Sequence, residues 1–239
     1  MPEQLIDIKD IQSRLYIKLN DSGWNIRMRS YLLSAEFREV IETLVKEQLE
    51  ENKPFTPKLN QIFRAFQECP YDKLNTVVIG QDPYPKVNAA DGIAFSCSNI
   101  GKEEASLRYI FKAIEDTVYP GEGHSWDPDL KRWSNQGVLL LNTALTTEVG
   151  KIGQHYLTWN FFTNTLLEML NKNNPGLIYL FLGKKAEKWA ELIDDNNYKI
   201  FASHPASAAY SRKNNWNCND CFNKINEILY KNNGIKINW

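Results

Sequence analysis

The sequence has no long apolar run and no excess of either charge. Its longest apolar stretch, residues 177–182 and its edges, is far shorter than the ~20 residues that a membrane-spanning helix needs. Residues 1–20 alternate acids, amides and aliphatic side chains, without the charged start and apolar core of a secretory signal. Lys and Arg number 28 and Asp and Glu number 29, so the net charge is −1. These absences predict a cytoplasmic protein without membrane segments. The balanced charge excludes a protein that coats nucleic acid with a surface that is basic overall, but it does not exclude a local basic groove.

Cysteine is scarce, with only Cys69, Cys97, Cys218 and Cys221 in 239 residues. Cys218 and Cys221 have the spacing of metal ligands, but no second close pair accompanies them. Buried or unreactive reduced thiols are therefore the favoured interpretation, and a zinc or iron–sulfur site is the alternative. A chain of this length buries a core without disulfides.

Several catalytic motifs are missing as well. There is no G-x-S-x-G elbow of serine hydrolases, no phosphate-binding loop ending in Gly-Lys-Ser/Thr, and no G-x-G-x-x-G after a strand. The sequence holds only 3 histidines and no H-E-x-x-H, which argues against a catalytic metal. We expect no metal and no cofactor, and therefore chemistry that side chains carry out by themselves.

Helical and strand patterns alternate along the chain. Apolar residues recur at intervals of three and four, which predicts helices near residues 37–45, 107–118, 161–170 and 222–229. Short apolar runs without that period lie at residues 76–79, 138–141, 177–182 and 199–202. Such runs, separated by helices, are typical of buried parallel strands in an α/β fold. The lack of repeats and linkers predicts one domain over residues 1–239, with a helical N-terminal segment of about residues 1–70 packed on it.

Polar residues follow each predicted strand. Asp82 comes just after the first strand, Asn142 after the second, Gly183 and Lys184 after the third, and His204 after the fourth. In an open parallel sheet, ligands bind beyond the carboxyl ends of the strands. We therefore expect an acid, an amide, a basic glycine turn and an imidazole around one crevice.

This set of side chains suits a substrate that supplies its own leaving group. Cleavage of the N-glycosidic bond of a nucleobase fits, because the sugar becomes cation-like and the base departs as an anion. An acid would orient water or steady the cation, and a histidine would donate a hydrogen bond to the anion. Each residue also has a purely structural interpretation, as a turn, core or capping residue.

Four ordered segments carry a family resemblance. They are VVIGQDPY at residues 77–84, GIAFS at 92–96, QGVLLLN at 136–142 and SHP at 203–205. They resemble the motifs of the main family of uracil-DNA glycosylases, found in bacteria, nuclei and large DNA viruses, and looser similarity extends from Trp24 to Asn226. The resemblance implies a three-layer α/β/α sandwich with a central four-stranded parallel sheet. It also implies an enzyme that flips uracil out of DNA and hydrolyses its N-glycosidic bond, leaving an abasic site.

The resemblance implies roles for the matching pocket residues. Asp82 is similar to the catalytic acid that positions water, and His204 to the imidazole that hydrogen-bonds uracil O2 as negative charge develops there. The substrate-binding residues it implies are Gln81 through its backbone, Tyr84 against the C5 methyl of thymine, Phe95 as the stacking platform and Asn142 for the uracil edge.

The resemblance is weaker for residues that would bind DNA. Ser106 matches a serine that opens a helix and grips phosphate, which helix N-termini favour. Gly183 and Lys184 occupy the minor-groove loop of the family, where a serine is usual, and Lys184 equally suits a solvated helix start. Ala208 lies where the family has the leucine that enters the minor groove, and Arg212 is a candidate for a basic rim.

The segment after the fourth strand departs from the family pattern. Ala206 replaces a phosphate-gripping serine, Ala208 replaces the leucine, and Pro85 replaces a histidine near the DNA backbone. Without the leucine, the gap left by a flipped base stays unfilled. We therefore expect a stronger preference for single-stranded over paired uracil than in leucine-bearing relatives. Tyr210 is an alternative wedge, although its register disfavours that role.

The resemblance also implies partners. They are uracil-containing DNA, single- and double-stranded, and either a proteinaceous inhibitor or a DNA polymerase, with the protein itself a monomer. The competing function is a glycosylase fold that serves as a DNA-binding accessory subunit of a polymerase, with weak or altered catalysis. The presence of Asp82, Asn142 and His204 favours the enzyme.

Overall fold

The computed structural model describes residues 6–210 and 216–239. The helices of this part of the chain are α1 (Ile8–Ile17), α2 (Trp24–Arg27), α3 (Arg29–Leu32), α4 (Ala35–Leu49), α5 (Arg64–Glu68), α6 (Ala105–Thr117), α7 (Lys131–Ser134), α8 (Tyr156–Asn173), α9 (Lys184–Glu187), α10 (Ala206–Tyr210) and α11 (Cys221–Asn233). The strands are β1 (Phe55–Thr56), β2 (Thr76–Gly80), β3 (Val138–Asn142), β4 (Thr147–Glu148), β5 (Ile178–Leu182) and β6 (Tyr198–Ala202). The helices and strands predicted from periodicity are all present.

The central sheet has four strands in the order β3-β2-β5-β6, and every neighbouring pair is parallel. Gly80 at the end of β2 pairs with Asn142 at the end of β3, so these two strands end at the same level. A separate two-stranded antiparallel ladder joins β1 to β4. The prediction of a four-stranded parallel sheet is confirmed.

Burial explains why these strands lack alternating polarity. Every residue of β2 and of β5 is buried, because helices cover both faces of the sheet. From β2 the chain crosses to β3 at one edge of the sheet, and from β3 it crosses back over β2 to β5 in the opposite direction. Right-handed crossovers therefore place α6 and α8 on opposite faces, and α11 packs with α6. The result is the three-layer α/β/α sandwich that the resemblance implies.

Helices of the N-terminal segment pack against the α8 face of the sheet. α4 begins where Ser34 Oγ accepts a hydrogen bond of 3.2 Å from the Phe37 amide, a typical N-cap. The Phe37 ring packs on Phe63, and Phe63 packs on Phe162 of α8. Trp24 is fully buried and donates its indole hydrogen to Cys69 O at 2.7 Å. One continuous apolar cluster therefore includes residues of this segment and of the sheet.

The length and polarity of the helices bear on membrane association. Among the described residues, none of the helices is both long enough and apolar enough to cross a membrane.

Candidate active site

Side chains from the ends of three strands meet at one cavity of about 560 Å³. β2 is followed by Asp82, β3 ends at Asn142, and β6 is followed by His204. Because the strands are parallel, their carboxyl ends lie on one edge of the sheet. The predicted residues that line the cavity are Gln81, Asp82, Tyr84, Phe95, Ser106, Asn142 and His204.

The Asp82 carboxylate is held by two donors from the start of α8 and the loop before it. Oδ2 accepts the Gly153 amide at 3.0 Å, and Oδ1 accepts the Tyr156 hydroxyl at 2.5 Å. Burial raises the pKa of Asp82, while the Tyr156 and Gly153 hydrogen bonds and the nearby Lys185 ammonium oppose that rise. Neither Gly153 nor Tyr156 is predictable from the sequence, because no local pattern connects them to a residue more than 70 positions away.

The hydrogen bonding of His204 assigns its tautomer. The Ala206 amide donates to His204 Nδ1 at 3.2 Å, so Nδ1 is an acceptor and the neutral ring carries its proton on Nε2. Burial lowers the pKa of His204, and the positive charge of Lys185 lowers it further. The imidazole is therefore kept neutral, with one N–H available as a donor.

The walls of the cavity are formed by Phe95, Tyr84 and Asn142. The Phe95 backbone is left-handed, with φ of 66°, which is unusual for an aromatic residue. The Phe95 carbonyl accepts a hydrogen bond of 3.0 Å from the Tyr84 hydroxyl, and this bond joins the two residues. Gly80 allows the Asn142 amide to approach, because a Cβ there would lie 2.6 Å from Asn142 Oδ1 and 3.2 Å from the Phe95 ring.

A buried carboxylate fixes the loop that carries Phe95. Asp91 is fully buried and accepts the amides of Ile93 at 3.1 Å and Ser98 at 2.9 Å. Its charge is paired with Arg64 at 2.9 Å. These contacts hold Phe95 in its strained conformation and were not predicted, since Asp91 and Arg64 are far apart in sequence.

The loop after β2 is fixed by the backbone of Gln81. Gln81 O accepts the Ala144 amide at 3.0 Å and the Thr143 hydroxyl at 2.9 Å. Both donors come from the segment directly after β3. These bonds join the two loops that carry Asp82 and Asn142.

The residues predicted to bind DNA fall in different environments. Ser106 is buried in the first turn of α6 and lines the cavity. Gly183 is buried just before α9, where its missing Cβ would lie 2.8 Å from the His204 Cβ, and Lys184 is exposed. Arg212 lies outside the described residues.

Ala208 differs from the position that the family pattern assigns to it. It belongs to α10, its amide donates to Pro205 O at 3.2 Å, and its side chain is only 3% exposed within the apolar core. A buried methyl group does not reach a DNA strand in this conformation. The side chain of the alternative wedge residue, Tyr210, is not among the described parts of the chain.

The other titratable groups show no metal cluster. Within residues 6–210 and 216–239, no three His, Cys, Asp or Glu side chains are close enough together to hold a metal ion. Cys69, Cys97, Cys218 and Cys221 are buried free thiols, and none of them lines the cavity. His155 contacts Thr146 and Glu47 at 2.8 and 3.0 Å, as a structural histidine does.

A parallel α/β sheet that brings an acid, an amide and a neutral imidazole to one cavity has the fold and the side chains expected of an N-glycosylase. Comparison with known proteins agrees. The family model of the uracil DNA glycosylase superfamily matches residues 66–229. A uracil-DNA glycosylase of Aliivibrio salmonicida is 33% identical over 224 residues, covering 92% of this chain and 97% of the relative. One from Buchnera aphidicola subsp. Baizongia pistaciae is 36% identical over 221 residues, covering 91% and 96%.

A solved structure shows the same architecture. The crystal structure of mimivirus uracil-DNA glycosylase superposes with a TM-score of 0.84 at 27% identity, covering 97% of this chain and 91% of that chain. The chain belongs to the uracil-DNA glycosylase superfamily. Its function is that of a DNA base-excision repair enzyme that hydrolyses the N-glycosidic bond of uracil in DNA and leaves an abasic site.

Proposed function

We propose that Asp82 and His204 catalyse uracil release in this chain. The observation that carries the proposal is that both line one cavity together with Asn142. The ionised Asp82 orients water and stabilises the cation-like sugar as the bond breaks. The neutral His204 donates its Nε2 hydrogen to uracil O2 as negative charge gathers on the base.

The remaining walls of the cavity select uracil. The Asn142 amide offers one donor and one acceptor, which match the N3–H and O4 of uracil. Phe95 stacks on the base, and Tyr84 occupies the space that the C5 methyl group of thymine would need. The backbone of Gln81 contacts the base from the loop after β2.

Asp82→Asn tests the catalytic assignment. We expect single-turnover release of uracil from a single-stranded oligonucleotide to slow by roughly a thousandfold or more, with the Kd for that DNA little changed, because Asp82 acts in the transition state. Asp72→Asn is the matched control, since Asp72 is exposed and does not line the cavity. Wild-type turnover in Asp82→Asn would contradict the mechanism.

We also infer how DNA is held. Ser106 and the exposed Lys184 contact phosphates, and Gly183 belongs to the loop that faces the minor groove. Ala206 and Pro85 provide no phosphate donor through their side chains. Because Ala208 cannot fill the gap left by a flipped base, the preference for single-stranded over paired uracil is stronger than in leucine-bearing relatives. Arg212 remains a prediction of the sequence as part of the basic rim.

A proteinaceous inhibitor is a further proposed partner. A mimivirus UNG variant has been solved in complex with UGI, and it covers 97% of this chain with a TM-score of 0.83. We expect UGI to inhibit this enzyme as well, which a uracil-release assay with increasing UGI would show. A polymerase partner, a monomeric state, a single domain and a cytoplasmic location stay predictions of the sequence.

A further inference from the structure

Tyr156 and Lys185 form a contact chain that ends on Asp82 and that the mechanism above does not use. The Lys185 ammonium lies 3.3 Å from the Tyr156 hydroxyl oxygen and 4.7 Å from the centre of its ring. The same hydroxyl lies 2.5 Å from Asp82 Oδ1. Three elements meet here, because Tyr156 begins α8, Lys185 lies in α9 and Asp82 follows β2.

The chemistry of the three groups fixes the direction of the hydrogen bonds. An ammonium has three donors and no acceptor, so the Tyr156 hydroxyl cannot donate to Lys185. The hydroxyl oxygen accepts from Lys185, and its own hydrogen is left for the carboxylate. Hydrogen bonds in such a chain strengthen one another, and the last one is made to a charged acceptor.

The Tyr156 ring is held in place by its surroundings. A Cβ on Gly153 would lie 2.7 Å from the ring edge, so the absence of a side chain there lets the ring lie against the loop. That loop also supplies the Gly153 amide to Asp82 Oδ2 at 3.0 Å. Both carboxylate oxygens are thus held from the same side.

We propose that Tyr156 is a positioning residue that orients the Asp82 carboxylate, and that Lys185 orients Tyr156 in turn. This proposal rests on the catalytic role proposed for Asp82. Lys185 is exposed and does not line the cavity, so this role gives it an indirect part in catalysis, through Tyr156.

The groups around Asp82 set the expected pH dependence. Burial raises the pKa of Asp82, and the Tyr156 hydroxyl is the largest influence against that rise, followed by the Gly153 amide and Lys185. His204 shares the cavity, as does Glu104, which is paired with Lys86 at 2.9 Å. Removing the hydroxyl should therefore raise the pKa of Asp82 and move the acidic limb of the rate profile to higher pH.

Tyr156→Phe is the direct test, because it removes only the hydroxyl and keeps the ring that Lys185 covers. We expect single-turnover release from single-stranded DNA to slow by roughly 10- to 100-fold near neutral pH, as for the loss of a hydrogen bond to a charged group. The acidic limb should shift upward while the Kd for DNA stays constant. Lys185→Gln should shift the limb in the same direction, since Lys185 lowers the pKa of both Asp82 and His204.

The chain contains a matched control pair. Lys236 Nζ lies 5.2 Å from the centre of the Tyr230 ring, in and just after α11, and neither residue lines the cavity. Tyr230→Phe and Lys236→Gln make the same chemical changes there. We expect them to leave the rate, its pH profile and the Kd for DNA unchanged.

A double-mutant cycle with Asp82→Asn separates this proposal from the assignment of Asp82. If Tyr156 acts through Asp82, Tyr156→Phe should have little further effect in the Asp82→Asn background. An equal loss in both backgrounds would overturn the proposal, and so would a Tyr156→Phe variant that unfolds earlier but keeps the wild-type rate and acidic limb. Wild-type activity of Asp82→Asn alone would instead overturn the assignment of Asp82.

Discussion

Asp82 and His204 show how burial sets the protonation state of single residues. Withdrawal from water disfavours the charged form, so it raises the pKa of the Asp82 carboxyl and lowers that of the His204 imidazole. The neutral imidazole is the form that keeps Nδ1 free to accept the Ala206 amide. Protonation of His204 would break that bond and release the ring. Uracil release should therefore decline at acidic pH for two reasons, loss of the Asp82 charge and loss of the His204 orientation.

The raised pKa of Asp82 also has a consequence for stability. The folded state holds this proton more tightly than the unfolded state, whose pKa is near the ordinary 3.8. Stability from this group is thus present below pH 3.8 and is lost as the pH rises through the folded-state pKa. We expect Asp82→Asn to unfold at a higher temperature than the wild type at pH 7, with a smaller difference near pH 4. Thermal unfolding at both pH values measures this, and a less stable variant at pH 7 would contradict it.

Two substitutions test the selection of uracil. Tyr84→Ala should admit thymine, because it opens the space that the ring fills, whereas Tyr84→Phe should still exclude it. The Phe variant keeps the ring and loses the hydroxyl, with its hydrogen bonds to Phe95 O and to the Leu107 backbone, each worth about 0.5–1.5 kcal/mol. Asn142→Asp should release cytosine, since a carboxylate accepts from its amino group. Release assays with thymine- and cytosine-containing oligonucleotides check both, and no new activity in either variant would refute the pocket assignment.

At the scale of elements, the paired ends of β2 and β3 determine how close the pocket side chains come. In Gly80→Ala, the new Cβ would collide with Asn142 Oδ1 and press on the Phe95 ring. A displacement of about 1 Å at such groups lowers rates by as much as 10²-fold, and we expect a kcat/KM loss of that order. Gly123→Ala is the control, because a Cβ there has no neighbour within 4 Å. Equal kcat/KM values for the two variants would show that β2 and β3 do not set the pocket in this way.

The helix α10 decides which residue can fill the gap left by a flipped base. Ala208 is buried where α10 packs on α6, so Ala208→Leu should overpack the core and destabilise the fold by about 1–3 kcal/mol in urea unfolding. Tyr210→Ala should slow excision from duplex DNA more than from single strands if Tyr210 is the wedge. If Ala208→Leu kept wild-type stability and excised uracil from duplex DNA faster, Ala208 would occupy the wedge position after all.

At the scale of the whole molecule, the net charge of −1 gives no general attraction to DNA. Binding must therefore rely on local cations, and we expect the exposed Lys184 at the start of α9 to be one of them. Each phosphate contact contributes about 0.9 to the slope of log K against log salt for duplex DNA. Lys184→Gln should lower that slope by roughly this amount. Kd values for duplex DNA measured between about 50 and 200 mM salt would show the change. An unchanged slope would assign Lys184 to a solvated helix start.

The sheet and most of the motif positions could be predicted from the amino-acid sequence. The helix that contains Phe37 and the buried strand that ends at Gly80 follow from periodicity, because side-chain spacing on one element is a local property. The parallel arrangement follows from strands separated by helices. Because the strands are parallel, Asp82, Asn142 and His204 converge at one edge of the sheet.

The surroundings of these groups depend on tertiary packing and could not be predicted. Gly153 and Tyr156 belong to the connection between β3 and β5, which contains α8. Their contacts with Asp82 depend on how α8 packs rather than on any local pattern. The buried Asp91 and its ion pair with Arg64 likewise arise from packing. The burial of Ala208 reverses what its place in the motif suggested, because a short helix turns the methyl group inward. Sequence spacing fixes where side chains leave the backbone, but crossovers and packing fix which of them meet.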